Sequence, residues 1–159
     1  MRGSAIRVII ASLGIFAPAY AQTVTVTPTA ASVHLGTFFQ FSARVTGTSP
    51  TTVGWTIALP AGATGSPGTI SAGGRYTPPA AIPSTGTVMV TATSIAAPAV
   101  SASATVTLLN PYPTVASTSP LNVAVGAFTL TINGSGFVTG AQALFGGVPL
   151  VTTFVSATR

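Results

Sequence analysis

Aspartate, glutamate, lysine and cysteine are all missing from this chain of 159 residues. Its charged side chains are five arginines (Arg2, Arg7, Arg44, Arg75 and Arg159), and it has a single histidine, His34. General acid–base and covalent catalysis draw mostly on His, Asp, Glu, Lys and Cys, so that inventory reduces to one imidazole. No carboxylate exists to orient it in a Ser-His-Asp arrangement. One imidazole is also too few ligands for zinc, and calcium needs the carboxylate oxygens that are missing. The sequence therefore predicts no catalytic, cofactor-binding or metal-ligating residues and no cofactor. Without cysteine there are no disulfide staples, so any stability must come from an apolar core.

The formal charge of +5 invites a nucleic-acid reading, but it reflects absent acids rather than abundant bases. Two of the five arginines lie in the first seven residues, and the other three are far apart. No basic run is available to neutralise a line of phosphates, and no nucleic-acid partner is expected.

What is present begins with "MRGSAIRVIIASLGIFAPAYAQ". Arg2 and Arg7 make a positive start, "VIIASLGIF" an apolar stretch, and "AYA" a small-residue end, the three parts of a secretory signal peptide. The apolar run is about half the ~20 residues needed to cross a bilayer. The expectation is a helical signal peptide over residues 1–21, cleaved after Ala21, and an exported protein secreted or at the cell surface without stable membrane insertion.

From Gln22 onward the chain alternates with period two. "FFQFSARV" sets Phe39, Phe41, Ala43 and Val45 on one face against Gln40, Ser42 and Arg44. "TVGWTI", "GTVMVTATS" and "SASATVTLL" alternate likewise, and stretches such as "LPAGATGSPG" and "TPPAAIPSTG" punctuate them. Such alternation, rich in β-branched residues and broken by Gly and Pro, predicts half-buried strands in an antiparallel sandwich. Proline on both sides of Tyr112, in "NPYP", predicts a short stiff connector at 111–113. Alternation then resumes through "TVAST", "AFTLTING", "AQALFGG" and "LVTTFVSAT". The fold class expected is all-β, with two sandwiches in tandem, 22–110 and 114–159.

"VTVTPTAASVHLGTFFQFSARVTGT", "VGWTI", and Gly68-Thr69-Ile70-Ser71 leading to Tyr76-Thr77-Pro78-Pro79 resemble a bacterial Ig-like domain over about residues 23 to 109. "PTVASTSPLNVAVGAFTLTINGSGFVTGAQALFGGVPLVTTFVSATR" resembles the opening of an IPT/TIG domain, another Ig-like sandwich. The resemblance implies that the second unit is truncated, its N-terminal half only, with a further strand due where the sequence stops at Arg159. It also implies a non-catalytic structural or interaction module, a stalk or spacer with possible adhesion, at the N-terminal end of a longer surface or secreted protein. The alternatives are the accessory region of a secreted enzyme whose catalytic domain lies elsewhere, and a carbohydrate or cell-surface binding module. The partner would then be a protein or a glycan at the cell surface.

Five glycines in "TINGSGFVTGAQALFGG" imitate a phosphate loop. The spacing Gly134-x-Gly136-x-x-x-Gly140 is wrong for a dinucleotide site, no acid follows, and Ala141 stands where a Walker loop needs Lys. The expectation is structural: Gly134 and Gly136 for positive φ or close backbone approach, Phe137 tucked into a core, and Gly140 and Gly146-Gly147 at turns around the strand "AQALF". Trp55 is expected in the core between sheets, and Tyr76 at an edge or corner with its hydroxyl on backbone. Tyr112 is expected to pack between units, and His34 in a turn, solvated or backbone-bonded. Asn133-Gly134-Ser135 fits the N-glycosylation pattern, which a bacterial protein is expected to leave unused.

Overall fold

The computed structural model describes residues 21–122 and 125–159; the expected signal peptide falls almost wholly in 1–20, outside the described residues. Within them there is no helix and the chain is all-β, as the alternation predicts.

Nine strands precede the connector: β1 (Thr23–Thr27), β2 (Ala30–His34), β3 (Phe39–Gln40), β4 (Ser42–Thr46), β5 (Val53–Ala58), β6 (Thr69–Ile70), β7 (Arg75–Thr77), β8 (Thr87–Ser94) and β9 (Ser101–Leu109). One sheet has the order β2-β9-β8-β5; β1-β4 and β3-β7-β6 provide the ladders opposite. Since β3 and β4 are one run of chain interrupted at Phe41, the second layer reads β1, β4/β3, β7, β6. All pairings are antiparallel except β2 with β9, which run parallel from Ala30↔Thr105 to His34↔Leu109. Two layers in this order are compatible with an immunoglobulin-like sandwich.

The alternation explains the packing directly. Val88, Val90 and Ala92 of β8 and Ala104, Val106 and Leu108 of β9 point inward and meet Val24, Val26, Phe41, Val45 and Tyr76 from the facing layer. The intervening Thr and Ser face water; Thr91 and Ser103 form one cross-strand hydroxyl pair at 2.8 Å. The face expected to carry Phe39, Phe41, Ala43 and Val45 is broken in the middle. Phe39 pairs with Tyr76 of β7, whereas Ala43 and Val45 pair with Val26 and Val24 of β1. Phe41 sits at the break, fully buried, its N–H donating to the Gly74 carbonyl.

After the connector come β10 (Thr114–Ser119), β11 (Thr131–Ser135), β12 (Leu144–Phe145) and β13 (Val148–Pro149). β10 and β11 form one antiparallel ladder with a bulge between Val115 and Ser117, and β12 and β13 a small hairpin. No described residue beyond Tyr112 is buried, so this segment has surface but no core. The strand expected in "LVTTFVSAT" does not form a ladder. Only the Thr158 and Ala157 carbonyls reach β11 and its exit, accepting from Gly134 and Phe137. An extended run can alternate and still lack a partner strand to alternate against.

Candidate functional site

Three places gather the side chains that could do more than pack. The first is where the connector leaves the sandwich. β2 brings His34 to the end of the parallel ladder, opposite Leu109, and the Leu35 N–H donates to the Leu109 carbonyl just beyond it. His34 Nδ1 donates to the Asn110 carbonyl, which fixes the proton on that nitrogen. The imidazole stacks on Tyr112 with ring centroids 3.8 Å apart. His34 is thus backbone-bonded, as expected, and it ends β2 where the expected turn begins, its carbonyl accepting from the Thr37 N–H. Tyr112 does not pack between two units: it remains 64% exposed and lies against His34 alone of the aromatic rings. Neither its place nor its pairing was legible in sequence, since 78 positions separate the two rings (112 − 34) and only the parallel ladder brings them together.

The second place is the β6–β7 turn. Gly74 has φ +82°, and a Cβ there would meet the Phe41 carbonyl and the Trp55 indole. Trp55 therefore lies across a bare backbone. Its strand, β5, is the outer strand of its sheet, and the indole is half-buried at the margin of the core rather than sealed between the layers. That corrects the expected interior tryptophan: an edge strand has a neighbour on one side only. Tyr76 is more deeply placed than expected. It is fully buried in β7, the central strand of its ladder, and its hydroxyl donates to the Pro67 carbonyl at 3.0 Å. Burial among apolar groups pushes the Tyr76 hydroxyl up to about 12. One residue before it, the Arg75 guanidinium lies 3.8 Å over the exposed ring of Phe38, a cation–π contact that the sequence did not suggest.

The third is the glycine-rich stretch and the surface beside it. Gly136, Gly140, Gly146 and Gly147 all have positive φ, and the last two close the β12–β13 hairpin, where two such residues suit the twist of the strands. Gly134 does not need positive φ; a Cβ there would run into the Thr114 carbonyl and the Phe137 ring. Phe137 is half-buried over that glycine, and the core into which it was expected to tuck is missing. The loop's backbone is occupied by its own strands, and Asn133 donates to Ser117. Beside it opens an apolar hollow of about 970 Å³ bordered by residues such as Val115, Phe128, Ile132, Leu144 and Phe154, and a smaller one of about 510 Å³ between Pro120, Leu121 and Phe145.

No buried side-chain nitrogen or oxygen among the described residues lacks a hydrogen-bond partner. A site that must take up a polar ligand often carries one. No family model matches the chain, and no curated protein matches it.

Proposed function

We propose that this chain is a non-catalytic, exported structural module, a stalk or spacer of the bacterial Ig-like kind. Residues 22–110 form its load-bearing unit, and 114–159 an IPT/TIG-like segment that follows it. The parallel pairing of β2 with β9 carries this reading. β1 and β2 lead in from the N-terminal end and β9 leads out to the connector. Tension between the two ends pulls β2 and β9 in opposite directions along their shared ladder. Its hydrogen bonds are then strained together, in shear, rather than opened one at a time. The Leu35–Leu109 bond and the His34–Asn110 bond extend the same seam to the exit. The absence of acids, lysine and cysteine leaves no catalytic chemistry to set against this reading.

Single-molecule pulling on the exported chain tests it. Leu35 donates to Leu109, so alternation along the strand aims the Ala31 N–H at β9 as well. Ala31→Pro deletes that donor. The expected result is one high-force rupture for the wild type, with a contour-length gain fitting β1–β9, and a clearly lower force for A31P. Equal forces for both, or a wild type that yields gradually, would remove the mechanical reading.

A further inference from the structure

We propose that Asn133 is a site of spontaneous covalent modification, deamidation by its own main chain, and that the pairing of β11 is the gate that holds the reaction back.

The chain has three asparagines, and the residue after each one decides its reactivity. Deamidation needs the next backbone nitrogen to attack the side-chain carbonyl carbon. Asn110 precedes Pro111, whose nitrogen has no proton to give up. Asn122 precedes Val123, whose branched side chain crowds the approach. Asn133 precedes Gly134, where no side chain stands in the way. The step balances with water as co-reactant. The Gly134 nitrogen loses its proton to solvent base and bonds to Asn133 Cγ, the Cγ–Nδ2 bond breaks, and ammonia leaves. Water then opens the succinimide, at Cγ to give aspartate or at the main-chain carbonyl to give isoaspartate.

The folded segment opposes this in three ways. In a strand the side chain stands out of the sheet whereas the next N–H lies within it, so the extended backbone of β11 keeps the two reacting atoms apart. The Gly134 N–H is committed to the Thr158 carbonyl at 2.9 Å. Asn133 Nδ2 donates to Ser117 Oγ at 3.3 Å. All three restraints must release together before the ring can close.

Each restraint is weakly supported. The bulge between Val115 and Ser117 lies directly across from Gly134 and Asn133, so the ladder is disrupted at the reacting pair. Thr158 belongs to a run that forms no ladder and is held by a short turn between Ser156 and Arg159. Both reacting residues are half-buried, with no buried side chain behind them. Opening here is therefore local and far more frequent than in β8 or β9. The products are lasting. Aspartate would be the only side-chain carboxylate in the chain. Isoaspartate adds a carbon to the main chain and throws the rest of β11 out of register.

The nitrogen that attacks is also the one whose proton exchanges with solvent, so a single opening governs both events. The test follows hydrogen exchange at Gly134 and deamidation at Asn133, by mass-spectrometric peptide mapping of the full chain at mildly alkaline pH, folded and in urea. The expected result is that folding slows deamidation by the same factor, within about threefold, by which it protects the Gly134 amide. Asn122 converts at least about tenfold more slowly than Asn133 in urea, and Asn110 does not form a succinimide by this route. Asn133→Gln, whose longer side chain must close a larger ring, abolishes the modification and leaves the melting temperature of the β1–β9 unit unchanged. No conversion of Asn133 in urea would overturn the proposal. So would a folded chain that stays intact while its Gly134 amide exchanges freely, or one that deamidates at the unfolded rate while that amide is protected.

Discussion

Three phenylalanines within four residues have three different fates. Phe38 is exposed under Arg75, Phe39 is half-buried with its ring 5.0 Å from that of Phe41, and Phe41 is fully buried. Phe41→Ala removes a ring from a close-packed interior and should cost about 3–5 kcal/mol in urea unfolding. Phe38→Ala should change stability by less than about 0.5 kcal/mol. Equal losses would mean that the break between β3 and β4 is misplaced. Gly74 is the second sensitive position. Gly74→Ala asks a residue with a side chain to hold φ +82° while its Cβ meets the Phe41 carbonyl at 2.5 Å. The backbone conformation alone should cost about 1–3 kcal/mol, and displacement of Trp55 should shift its emission toward longer wavelength. Tyr76 gives a pH dependence whose sign follows from burial. Its hydroxyl ionises near 10 in an unfolded chain but near 12 in the sandwich. Between those values the unfolded chain has lost the proton that the folded one keeps, so ionisation favours unfolding. That part of the stability is complete below about pH 10 and disappears as the pH rises through about 12. The melting temperature should fall across that interval in the wild type. Tyr76→Phe should remove the fall, while lowering stability at neutral pH by about 1–2 kcal/mol through the unpaired Pro67 carbonyl.

Single strands were legible in the sequence; their partners were not. β1, β4, β5, β8 and β9 all follow from period-two alternation, and the glycine turns follow from the φ that only glycine adopts at low cost. What alternation lacks is any mark of where the chain changes sheets. β1 and β2 are separated only by Pro28-Thr29, which marks a break but not a change of sheet, yet β1 joins β4 in one layer and β2 joins β9 in the other. β3 and β4, on either side of Phe41, likewise take different partner strands, β7 and β1, within one layer. Such switches depend on which neighbour lies alongside, a tertiary matter. Of the candidate sites, the turn glycines and the bonded tyrosine were foreseeable from local chemistry. The His34–Tyr112 stack and the Arg75–Phe38 contact needed the register. The same difference in packing should appear in amide hydrogen exchange. Amides of β8 and β9, flanked on both sides and backed by the core, should exchange only on global unfolding. Those of β10 to β13 have no buried side chains behind them and should exchange orders of magnitude faster through local opening. Comparable protection in a demonstrated monomer would show a core where none is described.

At the scale of the whole molecule the absent acids matter more than any one contact. Acid unfolding mostly reflects carboxylates that are charged and paired in the folded state and must take up protons to leave it. Every folded-state interaction described above is apolar, hydroxyl, amide, backbone or cation–π, and none loses a partner when carboxylates are protonated. Arg44 and Arg75 keep their charge throughout, so repulsion within the sandwich hardly grows. The proton count of folded and unfolded chains therefore stays nearly equal from about pH 2 to pH 5, and equal proton counts mean a flat stability curve. The melting temperature of the β1–β9 unit should vary by no more than a few degrees across that window at constant ionic strength. Introducing one acid beside a fixed cation should break the plateau in a predictable direction. Thr25 faces Arg44 across the β1–β4 ladder, so Thr25→Asp places a carboxylate opposite a guanidinium, where pairing lowers its ionisation below the unfolded range. That variant should gain stability above about pH 4 and lose the gain as the pH falls further. A wild type that sheds melting temperature steeply between pH 5 and pH 2 would contradict the account, because the sequence has no carboxylate side chain to take up the protons such a slope requires.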